Sequence, residues 1–376
     1  MASTTSKAIN VVELTYKISN GFQVAGKKWF NHNNNVNNNK KKIIALHGWL
    51  DNCSSFDKIA PYIVEHTDFD IYALDLPGHG FTDHLDGMAY YFHQTHVLTV
   101  GSILDEIKRN ENDDSKVVIL GHSMGAGIAI TTCATFPDMT NGLILIDGVG
   151  QVSEPESNVC NHLRTAFDLD KKNKLKKKKV NSTNNNNTNK YNNIETMIKK
   201  RQKAVTQFPP GNQQISFEAA YTILNRGIID LNEENGNDHS NANNKQLAFN
   251  HDLRLTSPAP FRQNEDQIRN AFENIDCPVT VVLAENGWPM GKNGGPLSVT
   301  QAMDKDNIVE VKHGEYDDNN MAPLINPRLN ILYENNKLDP ELDLNVIPNS
   351  YHHLHLEEDT YRECGEYITR FLNYKI

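Results

Sequence analysis

Four apolar runs in the first 150 residues limit the fold more than any other feature: "KIIAL", "DIYAL", "KVVIL" and "LILI". Runs this continuously apolar suit strands covered on both faces rather than strands with one wet side. The stretches between them, "SSFDKIAPYIVEH", "THVLTVGSILDEIKRN" and "GAGIAITTCATF", carry apolar residues at helical spacing. Strands joined through helices run parallel, because a parallel pair needs a long crossover. The expected fold class is therefore α/β, a mostly parallel sheet with helices on both faces. Ahead of it, "VVELTYKI" and "GFQVAGKKWF" read as a pair of strands.

The rhythm stops after Gly150 and returns with "CPVTVVLAENG" and "DLNVIPNS". We expect residues 1–150 to form the first part of a core, 151–270 an inserted helical cap, and 271–376 the rest of the core. Within the cap, "SFEAAYTILNRGI" reads as an amphipathic helix with Phe217, Ala220, Tyr221 and Leu224 on one side. The terminal "EEDTYRECGEYITRFLNYKI" reads as a helix opened by acidic residues, which suit a helix N-terminus.

Three Asn- or Asn/Lys-rich tracts interrupt this plan: residues 31–42, "KKNKLKKKKVNSTNNNNTNKYNN" from Lys171, and "NEENGNDHSNANNK" from Asn232. They hold too few apolar residues to bury and read as disordered loop expansions. They also account for the modest hydrophobic content of 38%.

The net charge of −10 argues against a general nucleic-acid partner. The basic run Lys171–Lys179 lies inside a tract and reads as solvated loop. Five cysteines, Cys53, Cys133, Cys160, Cys277 and Cys364, stand singly. Their odd count and the lack of a C-x-x-C pair indicate neither a disulfide framework nor structural zinc, which fits a reducing compartment. No apolar signal core and no segment of membrane-spanning length are present, so stable membrane insertion is not expected. The terminal "NYKI" is not a Ser-Lys-Leu address. The expected location is cytoplasmic; the oligomeric state is left open.

The chemistry is carried by "GHSMG", Gly121–Gly125. It fits G-x-S-x-G in the context that gives the motif meaning, a strand before it and a helix behind. Two glycines allow a tight turn that presents the Ser123 hydroxyl, and the helix N-terminus faces developing negative charge. Ser123 is the expected nucleophile. The Met124 N–H is one expected oxyanion donor. The other is the N–H of Trp49 in "LHGWLDN", where Gly48 permits close backbone approach. The Trp49 indole suits a pocket wall or a cap contact. His122 reads as a structural neighbour of the nucleophile.

"ALHGWLDNCSSFD", "YALDLPGHGFTDH", "ILGHSMGAGIA" and "HHLHLEE", in that order, resemble an α/β-hydrolase, and within that superfamily the serine hydrolase-like proteins. "LNRGI", "NHDLRLTSPAPF" and "NIDCPVTVVLAENGW" resemble them too. The likeness covers nearly the whole chain outside the tracts. It implies a Ser-His-acid site under a helical cap, acting on a small-molecule acyl substrate.

In this fold the order along the chain is nucleophile, acid, histidine. "NVIPNSYHHLHLEED" lies between the last strand and the last helix, where the histidine is expected. In relatives the first His of such a pattern is the base. His352 is the expected base, His353 the alternative, and His355 a loop support or the start of the helix. A contiguous His-His-x-His rarely supplies three converging ligands, so no metal is expected, and no other cofactor is implied. Many relatives place the acid just after the strand that follows the cap, where this chain has Gly287. Two carboxylates remain: Asp147, at the end of "LILID", is favoured, and Glu285 is the alternative. Asp75 and His79 read as loop organisers outside the triad.

The expected activity is hydrolysis of a carboxylic ester or related acyl bond by a serine hydrolase. The alternative is a hydrolase-fold protein that binds small molecules with little or no turnover. A dehalogenase or epoxide hydrolase is disfavoured, since those relatives carry Asp at the Ser123 position.

Overall fold

The computed structural model describes residues 9–18, 21–31, 40–87, 89–111, 113–182, 190–207, 213–231, 246–257, 259–297, 303, 306, 308–309 and 326–376.

The first part of the chain contains strands β1 (Ile9–Lys17), β2 (Gln23–Asn31) and β3 (Lys41–Leu46), helix α1 (Ile59–His66), strand β4 (Phe69–Leu74), helix α2 (His93–Glu111), strand β5 (Val117–His122), helix α3 (Met124–Thr135) and strand β6 (Thr140–Ile146). Helices α4 (Val159–Ser182), α5 (Ile194–Gln207) and α6 (Phe217–Arg226) follow, then a short hairpin of β7 (Ile228–Asp230) and β8 (Leu247–Phe249). The last part contains α7 (Glu265–Glu273), β9 (Val279–Asn286), the two-residue strands β10 (Met290–Gly291) and β11 (Ile308–Val309), α8 (Pro327–Glu334), β12 (Leu344–Tyr351) and α9 (Tyr361–Lys375).

Eight strands form one sheet in the order β1-β2-β4-β3-β5-β6-β9-β12. β1 and β2 are antiparallel to their neighbours, and β4 through β12 are parallel. The apolar runs occupy the middle of the sheet because they can be covered on both faces. Their alternate residues enter two separate cores, as the two-residue period of a strand requires. Ile44, Leu46, Ile119, Leu145 and Val281 pack with residues of α2, α3, α7 and α8. Ile43, Ala45, Val118, Leu120 and Val282 pack with residues of α1 and α9. α7 is fixed at its start by a reciprocal cap: Gln267 N–H donates to the Asn264 side chain at 2.9 Å, and Asn264 N–H donates to the Gln267 side chain at 3.1 Å. A cap of this kind contributes about 1 kcal/mol.

α5 and α6 build a third, smaller core of Met197, Ile198, Ala220, Ile223 and Leu224, into which Leu356 of the main body inserts. Four details differ from the sequence expectation. The buried side of α6 holds Ala219, Ala220, Ile223 and Leu224, while Phe217 and Tyr221 are exposed. The inward face is thus turned so that the Ala pair lets α5 approach closely. Lys171–Ser182 is helical, because α4 runs on through it. α7 buries Ile268 and Phe272 in the main core, so that core resumes before residue 271. α9 begins at Tyr361, after the acidic residues. Of the Asn-rich tracts, Asn31 ends β2 and Lys41–Lys42 open β3, while 32–39, 183–189 and 232–245 lie outside the described residues.

Candidate active site

Ser123 sits between β5 and α3 with φ 53° and ψ −116°. A non-glycine residue in this region is strained, and the strain is held by what surrounds it. Ser123 N–H donates to the Ile146 carbonyl of β6 at 3.0 Å. The two motif glycines are required by close approach. A Cβ on Gly121 would lie 2.3 Å from the Gly125 carbonyl oxygen, and one on Gly125 would lie 2.0 Å from that of Leu46. Met124 is the first residue of α3, so its N–H precedes any intrahelical acceptor.

His352 follows β12 directly. Its Nε2 lies 2.8 Å from Ser123 Oγ, and its Nδ1 is hydrogen-bonded to Asp147 Oδ2. The carboxylate can only accept, so Nδ1 carries the proton and Nε2 is left to accept from the serine hydroxyl. Asp147, which is 2% exposed, follows β6 with φ 40°. It also accepts from the N–H groups of Ala284 and Trp288, each at 3.0 Å. Its carboxylate fills the space beside Gly287, where a Cβ would lie 2.2 Å from Oδ1.

Glu285 turns elsewhere and accepts the Asn349 N–H at 2.6 Å. His353 places Nε2 3.3 Å from Asp51, away from Ser123. His355 is fully buried beside His122 and Phe56, and neither ring nitrogen has a hydrogen-bond partner among the described residues. Burial and the neighbouring His353 push its pKa down to about 3, so it is neutral. His122 is also buried, and its Nε2 hydrogen-bonds the His352 carbonyl at 2.9 Å. Burial, with the nearby His355, His352 and His353, holds it far below the usual histidine range. The three terminal histidines therefore occupy three different environments. Among the described residues, no group of three or more His, Cys, Asp or Glu side chains could hold a metal ion.

The loop after β3 packs against the start of α3. His47 Nδ1 donates to the Gly48 carbonyl at 2.7 Å, and its Nε2 accepts from Leu76 N–H at 2.9 Å. His79 Nε2 accepts from Leu50 N–H at 3.2 Å, and its Nδ1 donates to the Pro77 carbonyl at 3.1 Å. Burial lowers both pKa values, which keeps one acceptor nitrogen on each ring. The Trp49 indole donates to the Leu255 carbonyl at 2.8 Å. Asp75 is an organiser of another kind. It accepts from Cys53 and Phe81 N–H groups and from Arg226 Nε of α6 at 2.9 Å.

Sequence reasoning missed Asp51 and Arg201. Arg201 of α5 pairs with Asp51 and donates to the Leu50 carbonyl at 3.3 Å. Burial would raise the Asp51 pKa, but His353, Arg201 and His122 hold it well below the usual carboxylate range. The pairing spans a chain separation of 150 residues, and no local pattern announces it.

Residues 41–191 match the family model for the alpha/beta hydrolase fold. The chain has the α/β-hydrolase fold. It is similar to serine hydrolase-like proteins. One, from Dictyostelium discoideum, is 25% identical over 74% of this chain and 68% of its own length. Another, from zebrafish (Danio rerio), is 23% identical over 66% of each chain. A human one is 38% identical, over 28% of this chain and 48% of its own length. A hypothetical protein of Pseudomonas aeruginosa with a solved structure is 24% identical, with a TM-score of 0.66 covering 96% of this chain and 99% of that one. The matches support a hydrolase. No helix among the described residues is long and apolar enough to cross a membrane.

Proposed function

We propose that this α/β-hydrolase is a serine hydrolase that cleaves a carboxylic ester or related acyl bond. The observation that carries this reading is the hydrogen-bonded series Ser123 Oγ, His352 imidazole, Asp147 carboxylate. Ser123 Oγ attacks the acyl carbonyl as His352 Nε2 takes its proton, forming a tetrahedral oxyanion. The Trp49 and Met124 N–H groups hold that oxyanion, and one such donor contributes about 10²–10³ in rate. His352 then protonates the leaving group, and the acyl group stays on Ser123. Water, deprotonated by His352, attacks the acyl-enzyme and releases the acid. Asp147 keeps the proton on Nδ1 and stabilises the imidazolium without being protonated itself.

The binding-protein alternative rests on the choice of acid left open between Asp147 and Glu285. The hydrogen bond between the Asp147 carboxylate and His352 favours the enzyme reading over it. A fluorophosphonate probe tests the proposal. Wild type is expected to label covalently and Ser123→Ala to stay unlabelled, with wild type also turning over at least one ester in a panel of short and medium acyl chains. Absence of labelling, or labelling that survives Ser123→Ala, overturns it.

A further inference from the structure

The parallel pairing of β9 with β12 ends at Asn286 opposite Tyr351. Beyond that point β9 leads into the Gly287–Trp288 turn, whose Trp288 N–H donates to Asp147, and β12 leads into the loop that carries His352. One side chain bridges the gap. Gln213, from the segment between α5 and α6, is 1% exposed. Its Nε2 donates to the carbonyls of Asn286 at 2.8 Å and Gly287 at 2.7 Å. Its Oε1 accepts from the His352 N–H at 3.4 Å. A primary amide has two donor hydrogens and an acceptor oxygen, so it can act here like one more peptide unit laid between the strand ends. The residue that follows it, Gln214, donates to the Tyr351 hydroxyl at 3.0 Å.

Both ends of this bridge matter to the triad geometry. Gly287 is the position whose missing side chain admits the Asp147 carboxylate, and the next N–H, that of Trp288, donates to it. His352 N–H belongs to the residue whose ring spans Asp147 and Ser123. We infer that Gln213 is a positioning residue: a cap-borne amide that sets the distance between the acid's turn and the base's loop. It touches no reacting atom and acts through Asp147 and His352. The bridge makes the alignment of the triad depend on the seating of the cap, since Gln213 leads directly into α6, capped by Ser216. The role in catalysis rests on the serine-hydrolase reading above; the bridge itself does not.

The test uses the full chain with Gln213→Met and Gln213→Glu. Methionine keeps the volume and loses every hydrogen bond. Glutamate keeps an acceptor and loses the donors to both carbonyls. Both variants are expected to react with fluorophosphonate about 10–100-fold more slowly than wild type, the scale of a small misplacement of reacting groups, while still unfolding in one cooperative transition. The second readout needs no turnover: the low-field proton resonance of His352 Nδ1–H, assigned by its loss in His352→Gln. It is expected to shift or broaden in both variants. A labelling rate and a resonance equal to wild type in Gln213→Met would overturn the inference. If wild type itself fails to label, the serine-hydrolase reading falls and the resonance alone decides the bridge.

Discussion

Asp147 lies in the space that any side chain at position 287 would occupy. The two residues stand at the ends of adjacent parallel strands, β6 and β9, so a carboxylate from either strand could reach the same point beside His352. Asp147→Asn should lower kcat by about 10⁴-fold, the scale of losing the orienting carboxylate. Asp147→Gly/Gly287→Asp vacates that space, returns a carboxylate from the neighbouring strand and should recover part of the loss. Glu285→Gln should leave kcat unchanged, because Glu285 serves Asn349. Ester hydrolysis by the three variants separates these outcomes, and a large loss in Glu285→Gln would contradict the assignment.

Gly125 offers a test of the elbow. Its Cβ would fall 2.0 Å from the Leu46 carbonyl oxygen, a rigid backbone atom. Gly125→Ala should push the start of α3 away from the loop that carries Trp49. Labelling of Ser123 should fall at least as far as loss of one oxyanion donor, about 10²-fold. Full labelling in Gly125→Ala would show that these two segments need not touch.

Arg201 of α5 and Asp51 of the loop after β3 form an ion pair with almost no solvent on the carboxylate side. Removing Arg201 leaves Asp51 with only His353 and His122 beside it, and breaking a buried pair costs about 3–5 kcal/mol. Because the Arg201 side chain is 15% exposed, the lower end is expected for Arg201→Met. Arg201→Met/Asp51→Asn should be less unstable than Arg201→Met alone. Urea denaturation of the variants measures both, and additive losses would count against a direct pairing.

The buried histidines give the fold a defined acid sensitivity. His96 and His355 are pushed down to about 3, His96 by burial and the neighbouring His93 and His47, His355 by burial and His353. Both titrate near 6.5 when unfolded. Above 6.5 neither state is charged, and the pH-dependent part of the cost vanishes. As pH falls below 6.5 the unfolded chain takes up protons that the folded chain refuses, so stability is lost. Each site costs about 2 kcal/mol by pH 5. His355→Leu should therefore flatten the pH dependence of the denaturation midpoint and raise stability at pH 5. An unchanged slope between pH 7 and pH 5 would show that His355 is protonated in the native state.

The central strands and the elbow are legible because their signals are local: runs of Ile, Val and Leu, and two glycines around one serine. His352 is a candidate by its place between strand and helix, and its ring lies 2.8 Å from Ser123 Oγ. Asp147 and Glu285 look alike in sequence, since both end buried strands. What separates them is the empty space at Gly287 and the direction of the Trp288 N–H, neither of which a one-dimensional pattern contains. Arg201 and Gln213 are polar residues in a polar region, and their partners come from distant parts of the chain. The inward face of α6 differs from its sequence pattern for a related reason: the close approach of α5 favours Ala219 and Ala220 over the aromatic Phe217 and Tyr221.

The strand order has a further consequence for how this chain tolerates insertion. Ser123 and Asp147 belong to one continuous β-α-β unit, complete before the first cap helix begins. Lengthening the chain between β6 and β9 leaves the geometry of that pair untouched. It alters only the closure of the long loop that brings in His352, and loop-closure entropy grows slowly with length. A carboxylate on β9 would instead have left Ser123 alone on one side of the insertion. With Asp147 on β6, both hydrogen bonds of His352, to Ser123 and to Asp147, span the insertion, and a single loop closure brings both in together.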